Sequence, residues 1–169
     1  GSFGRLALLD MDTSLVSHAH PHCHLILKVR GPDQDFIVEG KPYPLRHDTA
    51  VAVNTWQQHQ YVHSPGPMRT VFLAIYIEPD WLAKVDASFM CCATPGFFAK
   101  PCIPITGEIA RLRAKLLGHI EADQANGLKG ARRVDSRSGS RGRAWIFGLA
   151  FTSPDGWRPA HPARFPHSP

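Results

Sequence analysis

A mainly β fold, a sandwich or barrel of short strands followed by helices, is what this 169-residue sequence predicts. Three observations lead there. Between Leu6 and Ile77, apolar and β-branched runs alternate with turn residues at spacings of about 8–12, the rhythm of an all-β domain. After Pro79 the apolar period lengthens to the helical value. The chain is also long enough, and at 43% hydrophobic residues apolar enough, for one domain with its own core.

Residues 5–9 and 13–17 are candidate strands, and residues 24–30 a stronger one. Gly31-Pro32-Asp33 then turns the chain. Residues 35–39 lead into Gly40-Lys41, and a hairpin return follows over 43–45. Residues 49–53 are apolar and β-branched, residues 58–63 alternate, and residues 69–77 form the longest strand candidate. A short helix over 79–85 begins with proline in its first turn. A clearer helix spans 107–125. Thr106 is placed to cap it, Glu108 adds negative charge to its first turn, and Asn126-Gly127 supplies a stop. Ile105, Ile109, Leu112, Leu116 and Ile120 form one stripe, available to the sheet or to a second copy of the chain.

The chain accordingly divides into a β unit with a short helix (1–104), an amphipathic helix (105–127) and a tail (128–169). The tail is rich in Arg, Gly, Ser and Pro and is expected to be poorly structured, although 145–151 is apolar enough for a strand or a latch. Charge follows the same division. Residues 1–127 carry 11 Lys and Arg against 12 Asp and Glu, while 128–169 carry 8 against 2. The formal charge of +5 therefore belongs to the tail and says nothing about a nucleic-acid-binding body. No apolar run approaches the roughly 18 residues of a membrane span, and no secretory leader is visible. Cys23, Cys91, Cys92 and Cys102 form no C-x-x-C pair and read as reduced thiols, which favours the cytoplasm.

Histidine carries the functional signal. Seven of ten lie between His18 and His63, and His18, His20, His22 and His24 are spaced by two. On an extended strand that spacing puts alternate side chains on one face. Neutral imidazole is a ligand for zinc, iron, nickel and copper. His18, His20 and His24, joined by His59 from a later strand, are thus a candidate metal set; His47 and His63 are weaker fourth members. The same histidines suit an effector pocket without metal. Trp56, Tyr61 and Arg46 are candidate pocket residues, Arg46 as a partner for a carboxylate.

These residues resemble the cupin motif, in which H-x-H is followed by three or four residues, Glu, six residues and Gly. Here His18-x-His20, three residues, His24, six residues and Gly31 keep the spacing with His24 in place of Glu, and His59 stands where the second motif has its histidine. Within cupins, 43–48, 53–59 and 78–82 are similar to the sensor domains of arabinose-regulator (AraC) type transcription factors. That resemblance implies a jelly-roll barrel, a small effector, possession of a divalent zinc, nickel, iron or manganese ion in some members, and a homodimer formed by late helices. It also implies that DNA is reached only through a domain this chain does not contain. A stand-alone metal-dependent oxygenase or isomerase is the alternative.

Overall fold

The computed structural model describes residues 2–85, 96–125, 132–135, 143–151 and 157–159. In chain order the strands are β1 (Ser2–Met11), β2 (Cys23–Arg30), β3 (Gln34–Val38), β4 (Lys41–Leu45), β5 (Thr49–Val53), β6 (His59–Val62) and β7 (Thr70–Ile77). Helix α1 (Pro79–Val85), β8 (Cys102–Pro104), α2 (Gly107–Ala125), β9 (Arg132–Asp135), β10 (Arg143–Phe151) and β11 (Trp157–Pro159) follow. Most expected strands are present within a few residues of the bounds read from the sequence. The exception is 13–17, which forms no strand. Both helices span the residues expected of them.

All the strand pairs are antiparallel. The large sheet runs β11-β10-β1-β7-β2-β5-β8, with β9 also on β10, and the small sheet runs β4-β3-β6. A single closed barrel is not formed among the described residues, because β4 and β6 make no ladder to the large sheet. The chain from 128 onward, expected as a poorly structured tail, supplies three of these strands. β10 lies along nearly the whole of β1, from Ser2↔Ala150 to Asp10↔Arg143. Its run of aromatic and aliphatic residues suits a strand, and β1 would otherwise present an open edge.

The large sheet is buried on both faces. Met11, Ile26, Val51, Val53 and Phe72 meet Phe36, Val38, Leu45 and Tyr61 of the small sheet in one core. Leu6, Leu27, Ala50, Leu73 and Ile75 point the other way and meet Ile120 of α2, with Ile109 and Leu116 packed alongside. Successive side chains of a strand project to opposite faces, so β2 and β7 read as nearly continuous apolar runs. Arg113 fastens the helix by donating to the carbonyls of Lys28 (3.0 Å) and His47 (3.1 Å). The stripe of α2 is thus used against the sheet, except Leu112, which is 53% exposed.

Two further contacts hold the sheet ends. Arg69, just before β7, donates to Asp10 Oδ1 (2.7 Å), to the Asp10 carbonyl (2.6 Å) and to Asp12, tying the start of β7 to the end of β1. Gly31 closes the β2–β3 turn with φ +94°, and a Cβ there would sit 2.2 Å from the Arg69 carbonyl oxygen. Cys23 and Cys102 are free thiols, while Cys91 and Cys92 lie outside the described residues. No helix of the described residues is long and apolar enough to cross a membrane.

The packing of α2 sets one test. Ile120→Ala is expected to lower unfolding free energy by about 2–5 kcal/mol, and Leu112→Ala to change it by no more than about 0.5 kcal/mol. Urea unfolding followed by circular dichroism measures both. Equal effects would mean the helix face is assigned wrongly.

Candidate metal centre

Three antiparallel strands set a row of side chains on the inner face of the large sheet. Arg5 on β1 is in register with Tyr76 on β7, and Tyr76 with His24 on β2. Their parity matches Leu9 and Met11, Phe72, and Ile26, all of which face the small sheet. The row lies at one end of the space between the sheets. His59, on β6 of the small sheet, faces it, with its ring stacked on Phe36 at 5.9 Å and 18°.

His18 and His20 come from the connection between β1 and β2. Pro21 has no N–H to give a ladder, and the connection contains only an isolated bridge. It is still held along β6 by backbone bonds. Leu15 N donates to the Tyr61 carbonyl (3.0 Å), His18 N to the His59 carbonyl (3.0 Å), and His59 N to the His18 carbonyl (2.9 Å). Trp56 N then donates to the His20 carbonyl (2.9 Å). Convergence of the histidines therefore comes from this stitching, and not from alternation along one strand.

One nitrogen from each of His18, His20 and His59 lies within 4.8 Å of the others. Ring centroids are 4.3 Å apart for His18 and His59, 5.0 Å for His20 and His59, and 5.8 Å for His18 and His20. Two of the three rings have one nitrogen already bound to backbone. His18 Nδ1 lies 2.8 Å from the Val16 carbonyl and His59 Nδ1 2.7 Å from the Gln57 carbonyl. Since a carbonyl only accepts, each Nδ1 carries the proton and each Nε2 keeps its lone pair. This is how metal-ligating histidines are commonly oriented. His20 differs: both its ring nitrogens are buried with no hydrogen-bond partner. Donor nitrogens this close could hold one divalent ion, to which histidine bonds are about 2.0–2.1 Å long.

His24 stands 4.8 Å from both His20 and His59, centroid to centroid, but outside the three-donor group. Its ring is fully buried and stacked on Tyr76 at 4.9 Å and 22°. Of the other sequence candidates, Trp56 is 64% exposed on the turn beside His20, with φ +59°. Tyr61 is fully buried in the inter-sheet core, its hydroxyl 2.9 Å from His63 Nδ1. Arg46 is exposed on the β4–β5 turn, where its charge acts on Asp33. His47 is exposed on the same turn.

The sequence reading left out Arg5, Tyr76 and the pair His22–Glu78. His22 Nε2 lies 3.2 Å from Glu78 Oε1, and its ring centroid 6.0 Å from that of His20. The two-residue spacing of His22 from His20 is the only signal of it in the sequence.

The electrostatics match a cluster kept neutral. Burial, then the neighbouring His59 and His18, lower the His20 pKa to about 4. Burial lowers that of His59 to about 4 against the bond to the Gln57 carbonyl, and His24 is pushed well below its usual value, again by burial first. His18, His20 and His59, with protonation of His20 and His59 suppressed, form a donor set suited to a divalent cation.

No protein-family model matches the chain, and no curated protein matches it. Among solved structures, the chain is similar to a Ralstonia eutropha JMP134 protein provisionally described as a mannose-6-phosphate isomerase. The identity is 18%, the match covers 45% of this chain and 82% of that one, and the TM-score is 0.37.

The depressed values have a consequence for stability. Between the ordinary value of 6.5 and the folded value of about 4, the unfolded chain binds more protons than the folded one. Stability of the metal-free protein is therefore complete above pH 6.5 and falls as pH drops towards 4. Urea midpoints across that range measure it, and His20→Gln is expected to reduce the slope. A wild-type midpoint that stays constant from pH 7 to 4.5 would contradict the assignment.

Proposed function

We propose that this chain is a cupin-type domain that holds one divalent transition-metal ion on His18, His20 and His59 and binds a small anionic ligand there. The observation that carries the reading is His20, whose two buried and unpartnered nitrogens sit among lone pairs oriented by backbone carbonyls. An unsatisfied buried polar group costs about 1–3 kcal/mol, and ligation is one way to recover it.

When bound, the ion supplies Lewis acidity and an exchangeable position, since three protein ligands leave at least one site open. The protein's part is to orient and to exclude water. The carbonyls of Val16 and Gln57 hold the His18 and His59 rings in the ligating tautomer. Phe36 and Tyr76 wall the cluster with aromatic surface, and exposed His18 marks the side open to solvent.

In biological terms the reading is the effector-binding domain of an AraC-type transcriptional regulator. What supports it is the phrasing of 43–48, 53–59 and 78–82 together with a β unit followed by an amphipathic helix. A cytoplasmic setting, a homodimer and a DNA-binding domain outside this chain belong to the same proposal. A second reading, a metal-dependent oxygenase or isomerase, is favoured by one observation: three converging donors leave an open coordination position.

Untagged protein titrated with Zn²⁺ or Ni²⁺ in a calorimeter is expected to bind one equivalent. Loss of a group that merely supports a ligand costs about 10–100-fold in metal affinity, so His20→Ala is expected to cost about 100-fold or more. His47→Ala, distant from the cluster, is expected to bind as wild type does. Equal metal binding by wild type and His20→Ala would sink the reading.

A further inference from the structure

Two turns outside the histidine cluster hold backbone conformations that most residues avoid. Among the described residues, Glu39 (φ +49°) and Trp56 (φ +59°) are the only ones other than glycine with positive φ. Both line one cavity of about 240 Å³, together with Asn54, Thr55, Gln57 and Gly96. Glu39 and Gly40 form the two-residue connection between β3 and β4, with Val38 paired to Lys41 and both φ angles positive. Such a turn favours Asn, Asp or Gly at the position Glu39 holds. The backbone at Trp56 likewise suits Asn or Gly better than a bulky indole. Outliers of this kind gather at ligand sites.

Two bonds join the turns. Glu39 N donates to the Gln58 carbonyl (2.8 Å), and Gln58 N donates to Glu39 Oε1 (2.6 Å). That accounts for one carboxylate oxygen and leaves the charge in place. Glu39 is exposed and has no cationic partner among the described residues. Trp56 is 64% exposed, and its indole makes no hydrogen bond or ring contact among the described residues. Nothing in the packing therefore calls for tryptophan where asparagine would be less strained. Asn54 and Gln57, by contrast, are used within the protein. Asn54 N donates to Gln57 Oε1 (2.9 Å), and the Asn54 side chain bonds the Phe98 backbone in both directions (3.1 and 2.7 Å). They fix the shape of the cavity and leave recognition to the indole and the carboxylate.

No basic residue lines the cavity, so an anion would find no counter-charge there. An indole face attracts a cation through its quadrupole, and a carboxylate attracts the same charge directly. We propose that the cavity between the β3–β4 turn and residues 54–57 binds a small organic ammonium ion, with Trp56 as aromatic platform and Glu39 as counter-charge. The site shares no side chain with the three-histidine centre and does not depend on the metal reading.

The isotope-labelled full chain is titrated with choline and with neohexyl alcohol, the uncharged isostere in which carbon replaces nitrogen. Binding is followed by nuclear magnetic resonance at the amides of residues 39 and 54–57 and at the Trp56 indole N–H. Choline is expected to bind at least about fivefold more tightly than the alcohol. Glu39→Gln, which keeps an oxygen for Gln58 N, is expected to lose most of that preference. Trp56→Asn is expected to weaken choline binding at least about fivefold while melting no lower than wild type, since Asn accepts positive φ. Trp56→Phe, with a weaker aromatic face, is expected to fall between the two and serves if Trp56→Asn fails to fold. The proposal is overturned if neohexyl alcohol or glucose binds as tightly as choline. Choline binding at wild-type strength in folded Trp56 and Glu39 variants overturns it as well. Phosphatidylcholine vesicles are expected to bind more weakly per headgroup than free choline, and the reverse order would overturn the assignment to a small molecule.

Discussion

The register between β2 and β7 is the constraint on which the rest of this molecule depends. Both strands lie in the middle of a sheet whose two faces are buried by different partners, the small sheet and α2. Each residue on them is therefore committed to one of two cores. Ile26 and Phe72 face the small sheet, and Leu27, Leu73 and Ile75 face the helix. A slip of one residue would exchange the two sets and carry His24 and Tyr76 out of the inter-sheet space. The same register sets Tyr76 opposite both Arg5 and His24, so the burial that stabilises the fold also composes the wall of the site.

The space between the sheets has two polar ends with different chemistry. At one, buried Lys28 meets Asp33 at 2.5 Å, and that hydrogen bond holds the Asp33 carboxyl below its usual range. A buried ammonium is tolerated there because it is paired and close to solvent. At the other end His20 and His59 are kept neutral by burial and by neighbouring imidazoles. Between them lie Ile26, Phe36, Val51, Tyr61 and Phe72, an apolar partition that separates the ion pair from the histidines. Arg46 acts on the first end, where its charge helps to hold the Asp33 carboxyl down.

The connection between β1 and β2 shows how irregular backbone can be placed firmly. It lacks a strand ladder, yet its carbonyls and amides are used one after another by Tyr61, His59 and Trp56. The cost of that path is visible at Trp56, held at φ +59°, a conformation disfavoured for a bulky side chain. Strain of this kind persists only where surrounding bonds over-determine it. Here the Asn54 amide donates to Gln57 Oε1 (2.9 Å), and the Asn54 side chain bonds in both directions with Phe98.

Strand rhythm, both helix spans and the cluster of histidines within residues 18–63 were legible in the sequence, because alternation, capping and composition are local properties. So was the use of the α2 stripe as an apolar face, although Leu112 escapes it. Locality also explains what was not legible. The spacing of His18, His20 and His24 suggests one strand face, but Pro21 breaks the strand, and long-range bonds to β6 bring the first two to His59 instead. The division into two sheets depends on pairing between distant segments, and the capture of β10 by β1 on pairing between segments more than a hundred residues apart. Arg5 and Tyr76 carry no motif, and only register makes them neighbours of the histidines. The sequence by itself determined which side chains were available for chemistry. Tertiary structure decided which of them share a volume, because a face or register is a relation between strands that no single strand contains.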